Sequence, residues 1–386
     1  MFIFVCGANL LNLMAEEDDE STPHVIIDIG TCYTQAGLNY EEGPSATFPS
    51  AVGYPKFAGG IGGEKYYVGK DVIDKRSVLK LNYPIEKGLI NNWDDYEKIL
   101  EHFLTKELKI APEEHNIMLT ESPNNTKKNR EEMAKLMFET FNVPGLYIAN
   151  SAVLPLICAG KFNGIVIDSG GDFTHFVPIY DLFGMPHAYI QENYAGRDLT
   201  LYMEELLSEV GYRFSTPSEK IIVESIKQKA CYVALDFDED LKLVEQFDYE
   251  LLDGTHIIIK DQRIKCTEVL FKPDIIGKDG VGIAQACYNS IQKCDIDIRK
   301  DLYNNIVLSG GNSMFNGLPE RLTKEIKYLV PYSMEDEVRV IASPERRFAT
   351  WIGGCILSHL NIFEGSWITK TEYEESGATI VHRKCF

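Results

Sequence analysis

Asp28 and Asp168 each end an apolar run and precede a turn of small residues. The first sits in "VIIDIGT" at 25–31 and the second in "IVIDSGG" at 165–171. Carboxylate, glycine and hydroxyl at the end of a strand are the groups that hold a phosphorylated ligand and its cation. A triphosphate needs backbone N–H donors at close range, and glycine turns the chain with no Cβ in the way. Bare carboxylates repel phosphate oxygens, so Asp28 and Asp168 are better placed to hold hydrated Mg²⁺ or Ca²⁺ through water. Thr31 and Ser169 offer hydroxyl donors. A third run, "NIVLSGG" at 305–311, keeps the strand and glycines but has Leu308 in the aspartate's place. There Gly310 and Gly311 would bring backbone to the ligand from another wall. A loop of this kind usually carries a lysine a few residues later, and Gln35 stands there instead. Each turn alone also fits a plain hairpin. Two in the same order suggest a duplicated domain, with one hairpin from each half facing a shared cleft.

The elements around these turns alternate. "NIMLTES" reads as a strand, and Asn129 then leads a helix with Met133, Leu136, Met137 and Phe141 at helical spacing. "SEKIIVESIKQKACYVALDF" reads as a second amphipathic helix, with Ser218 as its N-cap. Strands and helices alternating in two similar halves predict an α/β fold.

Composition narrows the function classes. A chain of 386 residues is too long for one small core. The net charge of −20 argues against nucleic acid or an anionic membrane as main partner. Nine cysteines show no Cys-x-x-Cys spacing, which suits free thiols in a reducing compartment and disfavours structural zinc. "MFIFVCGANLLNL" at 1–13 is apolar but lacks a basic n-region and is too short to span a bilayer, so no membrane insertion is expected. Met14 then precedes the acidic run 15–20, which reads as a solvated tail.

A resemblance now enters on longer stretches. "YPIEKGLINNWDDYEKI", "APEEHNIMLTESP", "MFETFNVPGLYIA", "AGRDLT", "CYVALDF", "YNSIQKCDIDIRKDLY", "WIGG" and "WITKTEYEESGATIVHRKCF" resemble the actin family, collinearly from about Glu16 to the last residue. The resemblance implies a duplicated actin-like ATPase fold, with two large domains (four subdomains) around a nucleotide cleft holding ATP or ADP and a divalent cation. It implies an N-terminal extension and acidic tail over 1–20 and a first large domain over 21–157 and 351–386, with a small subdomain at about 50–85. The second large domain would span 158–350, with its small subdomain at about 195–280.

Carried over position by position, Asp28, Gly30, Thr31, Cys32 and Gln35 belong to the first phosphate hairpin. Asp168, Ser169, Gly170, Gly171 and Asp172 belong to the second. His175 matches the histidine near the attacking water, although a histidine in "THFVPIY" also fits a satisfied core position. Gly196, Arg197 and Asp198 match the adenosine side, and Lys227 and Gln228 the nucleoside contacts. Gly310 and Gly311 match the opposite wall, and Arg347 stands where actins place a lysine against adenine.

Several positions depart from the family. Gln35 replaces the lysine that meets the β and γ phosphates, and Ser151 replaces the glutamine that positions the attacking water. Gly171-Asp172 inverts an aspartate-glycine order, and Gln228 replaces a glutamate. The expectation is ATP·Mg binding with slow or absent hydrolysis, a weak ATPase at most, with His175 and Ser151 as the catalytic positions. Lys87 replaces a histidine that many actins methylate.

Assembly has two readings. The resemblance implies a polymerisation loop at "YPKFAGGIGGEKYY", 54–67, which is short and glycine-rich, and a plug at "FKPDIIGKDGVG", which carries Lys278 and Asp279 after Ile275 and Ile276. An amine there resists burial in a subunit contact. The first reading is a divergent filament-forming actin of the cytoplasm and cytoskeleton. Its partners would be further copies of itself, myosin-type motors reading the acidic run, and profilin or cofilin at "ILSHLNIF" and "ICAGKFNG". The second is a non-polymerising subunit of a larger complex, such as a ciliary dynein arm or a nuclear chromatin remodeller. A sugar or glycerol kinase lacks support, because nothing beside Asp172 resembles a polyol site.

Overall fold

Val25-Ile26-Ile27 open a strand and are buried on both its faces, which is why that run is continuously apolar rather than alternating. The computed structural model describes residues 22–56, 64–214, 216–251 and 254–385. The N-terminal stretch, its acidic run and the middle of the loop at 54–67 lie outside these residues. Two compact units result, Met1–Phe162 with Phe348–Phe386, and Asn163–Arg347.

In the first unit, β1 (Val25–Ile29), β2 (Tyr33–Leu38) and β3 (Ala46–Pro49) form an antiparallel meander. β4 (Ile117–Glu121) and β5 (Gly145–Asn150) extend it from β1 in parallel. In the second unit, β6 (Gly164–Ser169), β7 (Thr174–Tyr180) and β8 (Phe183–Gly184) form the same meander. β9 (Ile306–Ser309) and β10 (Val340–Ile341) extend that one in parallel from β6. The five strands named in each sheet therefore share one topology, as a duplicated α/β chain requires, while the sixth differs: Ile368–Thr369 pairs with β5 in the first and Ile190–Glu192 with β7 in the second. One expectation changes with it. The third glycine run at 305–311 is the counterpart of β4, not of the aspartate strands, because β9 pairs beside β6 as β4 pairs beside β1.

Helix Ala349–Ser358 covers the first sheet. Trp351 Nε1 donates to Ile26 O at 3.0 Å, and a Cβ on Gly353 would lie 2.0 Å from Leu154 O. "WIGG" is thus a close-packing device. The C-terminal residues are fastened to the same unit, with Arg130 Nη1 donating to Cys385 O at 3.0 Å and His382 Nε2 2.8 Å from Glu131 Oε1.

Two helix starts differ from the sequence reading. The helix expected to open at Asn129 begins at Lys127, with Thr126 Oγ1 accepting from Asn129 N at 3.1 Å. The helix expected to be capped by Ser218 spans Pro217–Ala230 and is capped by Thr216. Thr216 and Glu219 exchange side-chain and backbone bonds, and Pro217 occupies the first helical position. A hydroxyl three residues before a glutamate outcompetes a serine lying inside that turn. Among the described residues no helix is long and apolar enough to cross a membrane.

The β7–β8 turn is strained. Asp181 and Leu182 have φ of 49° and 65°, the pair of positive values a two-residue hairpin turn of this hand demands. A side chain in that region costs about 1–2 kcal/mol. Leu182→Gly should therefore stabilise the chain by about 1 kcal/mol, seen as a higher urea midpoint. An unchanged or lower midpoint would mean that leucine's own contacts offset the strain.

Candidate functional site

The parallel strands of each unit end at one edge, the place where open α/β sheets bind ligands. In the first unit that edge carries Asp28, Thr120 and Ser151. Thr120 Oγ1 donates to Asp28 Oδ1 at 2.5 Å from the neighbouring parallel strand. Gln35 lies directly opposite Asp28 across the β1–β2 ribbon, so both side chains leave on one face. The turn Gly30-Thr31-Cys32 is pinned by Ser50, whose N–H donates to Cys32 O at 2.9 Å and whose Oγ donates to Gly30 O at 2.6 Å. Thr31 and Cys32 stay partly exposed. Ser151 follows β5, its N–H donating to Glu121 O at 2.9 Å.

The second unit repeats the device. Asp168 faces Ser309 on the neighbouring parallel strand. Burial pushes the Asp168 carboxyl up to about 6, opposed by the hydrogen bond from Ser309. Each hairpin aspartate thus receives a hydroxyl from the adjacent parallel strand. Gly310, at φ 86°, lets this edge close, since a Cβ there would stand 2.3 Å from Ser169 O and 2.8 Å from Asp168 Oδ1. Arg346 backs the same turn, its O accepting from Gly310 N at 3.3 Å and its Nε donating to Ser313 O at 3.1 Å. Arg347, half-buried, is the last residue of the unit.

Around this edge the structure gathers most of the residues expected on the second side. The N–H groups of Gly196 and Arg197 donate to Gly170 O at 3.0 Å and Gly171 O at 2.9 Å, seating the start of helix Gly196–Glu209 on the hairpin turn. Arg197 Nη1 pairs with Asp172 Oδ1 at 2.8 Å, so the displaced carboxylate of the inverted Gly171-Asp172 order has a cation. Lys227, only 5% exposed, donates to Gly196 O at 2.7 Å and Thr200 Oγ1 at 2.8 Å.

Three residues depart from their expected roles. Ser169 does not offer its hydroxyl outward. Thr174 Oγ1 donates to Tyr194 O, so the Ser169 proton goes to Thr174 at 2.9 Å, while Asn312 Nδ2 donates to Ser169 Oγ at 3.1 Å. Gln228 is exposed and donates to Glu224 Oε1 at 3.1 Å on its own helix, away from Lys227's cluster. Asp198 is engaged by Lys278 Nζ at 3.0 Å and by Ala195 N at 3.2 Å. The plug lysine is therefore paired within its own unit. Gly311 has open space where its Cβ would be.

His175 lies opposite Asp168 across the β6–β7 ribbon. It is 8% exposed, and burial lowers its pKa from an ordinary 6.5 to about 4. A ring neutral in the fold and protonated when unfolded contributes stability that is complete above about 6.5 and is lost as pH falls towards 4. In a histidine NMR titration, His175 should stay neutral until pH approaches 4. Protonation near 6.5 would show that water reaches the ring.

The actin family model matches residues 19–386. The chain belongs to the actin family. Its two like sheets are those of the actin-like ATPase fold, and the collinear stretches quoted above fall inside the matched range. What reading this actin-family chain by sequence missed are the residues that support the site. Thr120 and Ser309 sit on the strand beside the aspartate they hold, Ser50 follows β3, and Asn312 lies in the 3-10 turn Gly311–Met314. Only the like patterns "IMLT" at 117–120 and "IVLS" at 306–309, each ending in a hydroxyl, could have pointed to two of them. Among the described residues no cluster of histidine, cysteine and acidic side chains could hold a metal ion by itself. Eight cysteines there are free thiols.

Proposed function

We propose that this actin-family chain binds ATP with a divalent cation, assembles into cytoskeletal filaments, and hydrolyses its nucleotide slowly or not at all. The observation that carries the reading is the repeated strand edge, with one hydroxyl-held aspartate and one glycine-bearing turn in each unit. Its chemistry suits the ligand. Carboxylate oxygens are what Mg²⁺ or Ca²⁺ takes. Asn312 Oδ1 is buried with no hydrogen-bond partner among the described residues, beside the Gly196 turn. A bound cation supplies neutralisation of phosphate charge. Asp28 and Asp168 are the carboxylates that would hold it through water, the hairpin amides would be donors to phosphate oxygens, and Lys227, which holds the Gly196 turn, would serve the nucleoside side.

Slow hydrolysis follows from the departures. Gln35 places an amide, not a cation, opposite Asp28. Losing one charge-assisted hydrogen bond costs about 1.5–3 kcal/mol, or roughly one to two powers of ten in affinity. Ser151 is too short to reach a water that a glutamine would hold. Phosphoryl transfer to water depends mainly on such positioning. Motors, profilin, cofilin and a cytoplasmic setting belong to this reading as expected partners and place.

One observation favours the second reading, a non-polymerising subunit of a larger complex. Lys278 on the plug segment is tied to Asp198, and Tyr194 Oη donates to Val281 O at 2.8 Å, drawing that segment onto its own unit. Purified protein given Mg²⁺, K⁺ and ATP should sediment while releasing phosphate far more slowly than conventional actin run beside it. Actin-like turnover would remove the slow-hydrolysis part. Protein left in the supernatant would favour the second reading.

A further inference from the structure

The ring of His175 belongs to a hydrogen-bonded chain that runs along a neighbouring strand. Ile190–Glu192 pairs antiparallel with β7 and sets Gln191 opposite His175. Tyr189, one residue before that strand, brings its hydroxyl 2.7 Å from His175 Nδ1, with the two rings 26° from parallel at 5.8 Å. Tyr189 Oη donates to Gln191 Oε1 at 3.0 Å. Gln191 Nε2 in turn donates to Asn193 Oδ1 at 3.5 Å, continuing the chain.

The direction of the Tyr189–Gln191 bond decides the rest of the chain. A phenol has a single proton, and Tyr189 gives it to Gln191. Its oxygen can then only accept from His175, so Nδ1 carries the imidazole hydrogen. The other nitrogen, Nε2, is left with its lone pair. In a neutral histidine the bond made by one nitrogen decides the role of the other.

We propose that Tyr189 is a positioning residue that sets the tautomer of His175, with Gln191 orienting Tyr189, so that Nε2 serves as acceptor for a water molecule. This rests on the reading of His175 as the residue beside the attacking water. A water whose hydrogen is held by Nε2 turns its oxygen lone pair elsewhere, the orientation that attack on phosphorus requires. The opposite tautomer would present an N–H to that water and turn it the wrong way.

The tautomer is read directly from long-range ¹H–¹⁵N spectra of the full chain labelled on histidine, with His175→Asn identifying the signal. The wild type should show a protonated Nδ1 and a bare Nε2. Tyr189→Phe removes the acceptor and should move the ring mainly to the Nε2–H form. Gln191→Leu keeps the phenol but frees its proton to donate to Nδ1, and should produce the same inversion without emptying the pocket. A wild-type ring already in the Nε2–H form, or a tautomer unmoved in both variants, would overturn the proposal.

Single-turnover phosphate formation and ATP affinity, measured on the same proteins, separate this from the underlying reading. Inversion of the tautomer should slow hydrolysis about tenfold or more with ATP affinity unchanged. Inversion with equal hydrolysis rates would overturn the water-orienting role. Absence of ATP binding in every protein would instead defeat the nucleotide reading, and the spectra would still decide what Tyr189 does.

Discussion

Gly310→Ala should lower the apparent melting temperature sharply and abolish nucleotide binding, whereas Gly211→Ala should do little. Both glycines have positive φ, 86° and 98°. Around Gly211 nothing lies within 4 Å of an added Cβ, so alanine there meets only the backbone cost, about 1–2 kcal/mol. At Gly310 the same Cβ would stand 2.3 Å from Ser169 O and 2.8 Å from both Ser169 C and Asp168 Oδ1. Backbone on both sides is held in the β6–β9 ladder, so the overlap is relieved only by parting the strands that carry Asp168 and Ser309. A loss of about 3 kcal/mol or more beyond the Gly211 control is expected, the range of severe core overpacking. Thermal melts of the two variants side by side would check it. Equal shifts would show that the turn is looser than the close approach requires.

Asp28→Asn and Asp168→Asn should each weaken Mg²⁺-dependent ATP binding by roughly one to two powers of ten, and the double variant should lose it. Both substitutions keep a side-chain oxygen to accept from the hydroxyl of the adjacent strand, Thr120 in one unit and Ser309 in the other. The fold should therefore survive while the charge proposed to hold the cation goes. Titration with a fluorescent ATP analogue, in Mg²⁺ and again in EDTA, reads the effect. If the variants keep the wild-type gap between the two conditions, the carboxylates do not hold the cation.

Much of the fold was legible in the sequence, for physical reasons. The paired runs ending in Asp28 and Asp168 announce strands because their β-branched residues are buried on both faces, and their repetition announced the duplicated sheet. The contact that requires Gly310 was not legible: its sequence position suggested backbone approach to a nucleotide, and the close approach is to Ser169 and Asp168 on the neighbouring strand. The third run's place in the symmetry was not legible either, because strand order in a sheet is set by pairing partners far away in the chain. Hairpin apposition put Gln35 opposite Asp28 and His175 opposite Asp168, a consequence of turn length that the spacing contains.

The supporting residues were hidden for a different reason. Hydroxyls such as Ser50, Thr120 and Ser309 are common in loops and strand ends, and nothing local marks one that reaches across a sheet. The partners of Ser169 and Lys278 were missed in the same way. Each looked free along the chain, and each has a partner five or eighty residues away, Thr174 for one and Asp198 for the other. Tyr189 and Gln191 escaped notice because their tie to His175 exists only once the short strand pairs with β7.

The most direct test denatures freshly purified protein and identifies the released nucleotide by chromatography. The account predicts close to one ATP per chain, retained in Mg²⁺ and lost on prolonged chelation. Protein that releases no nucleotide would contradict it outright, and ADP alone would contradict the slow turnover expected from Gln35 and Ser151.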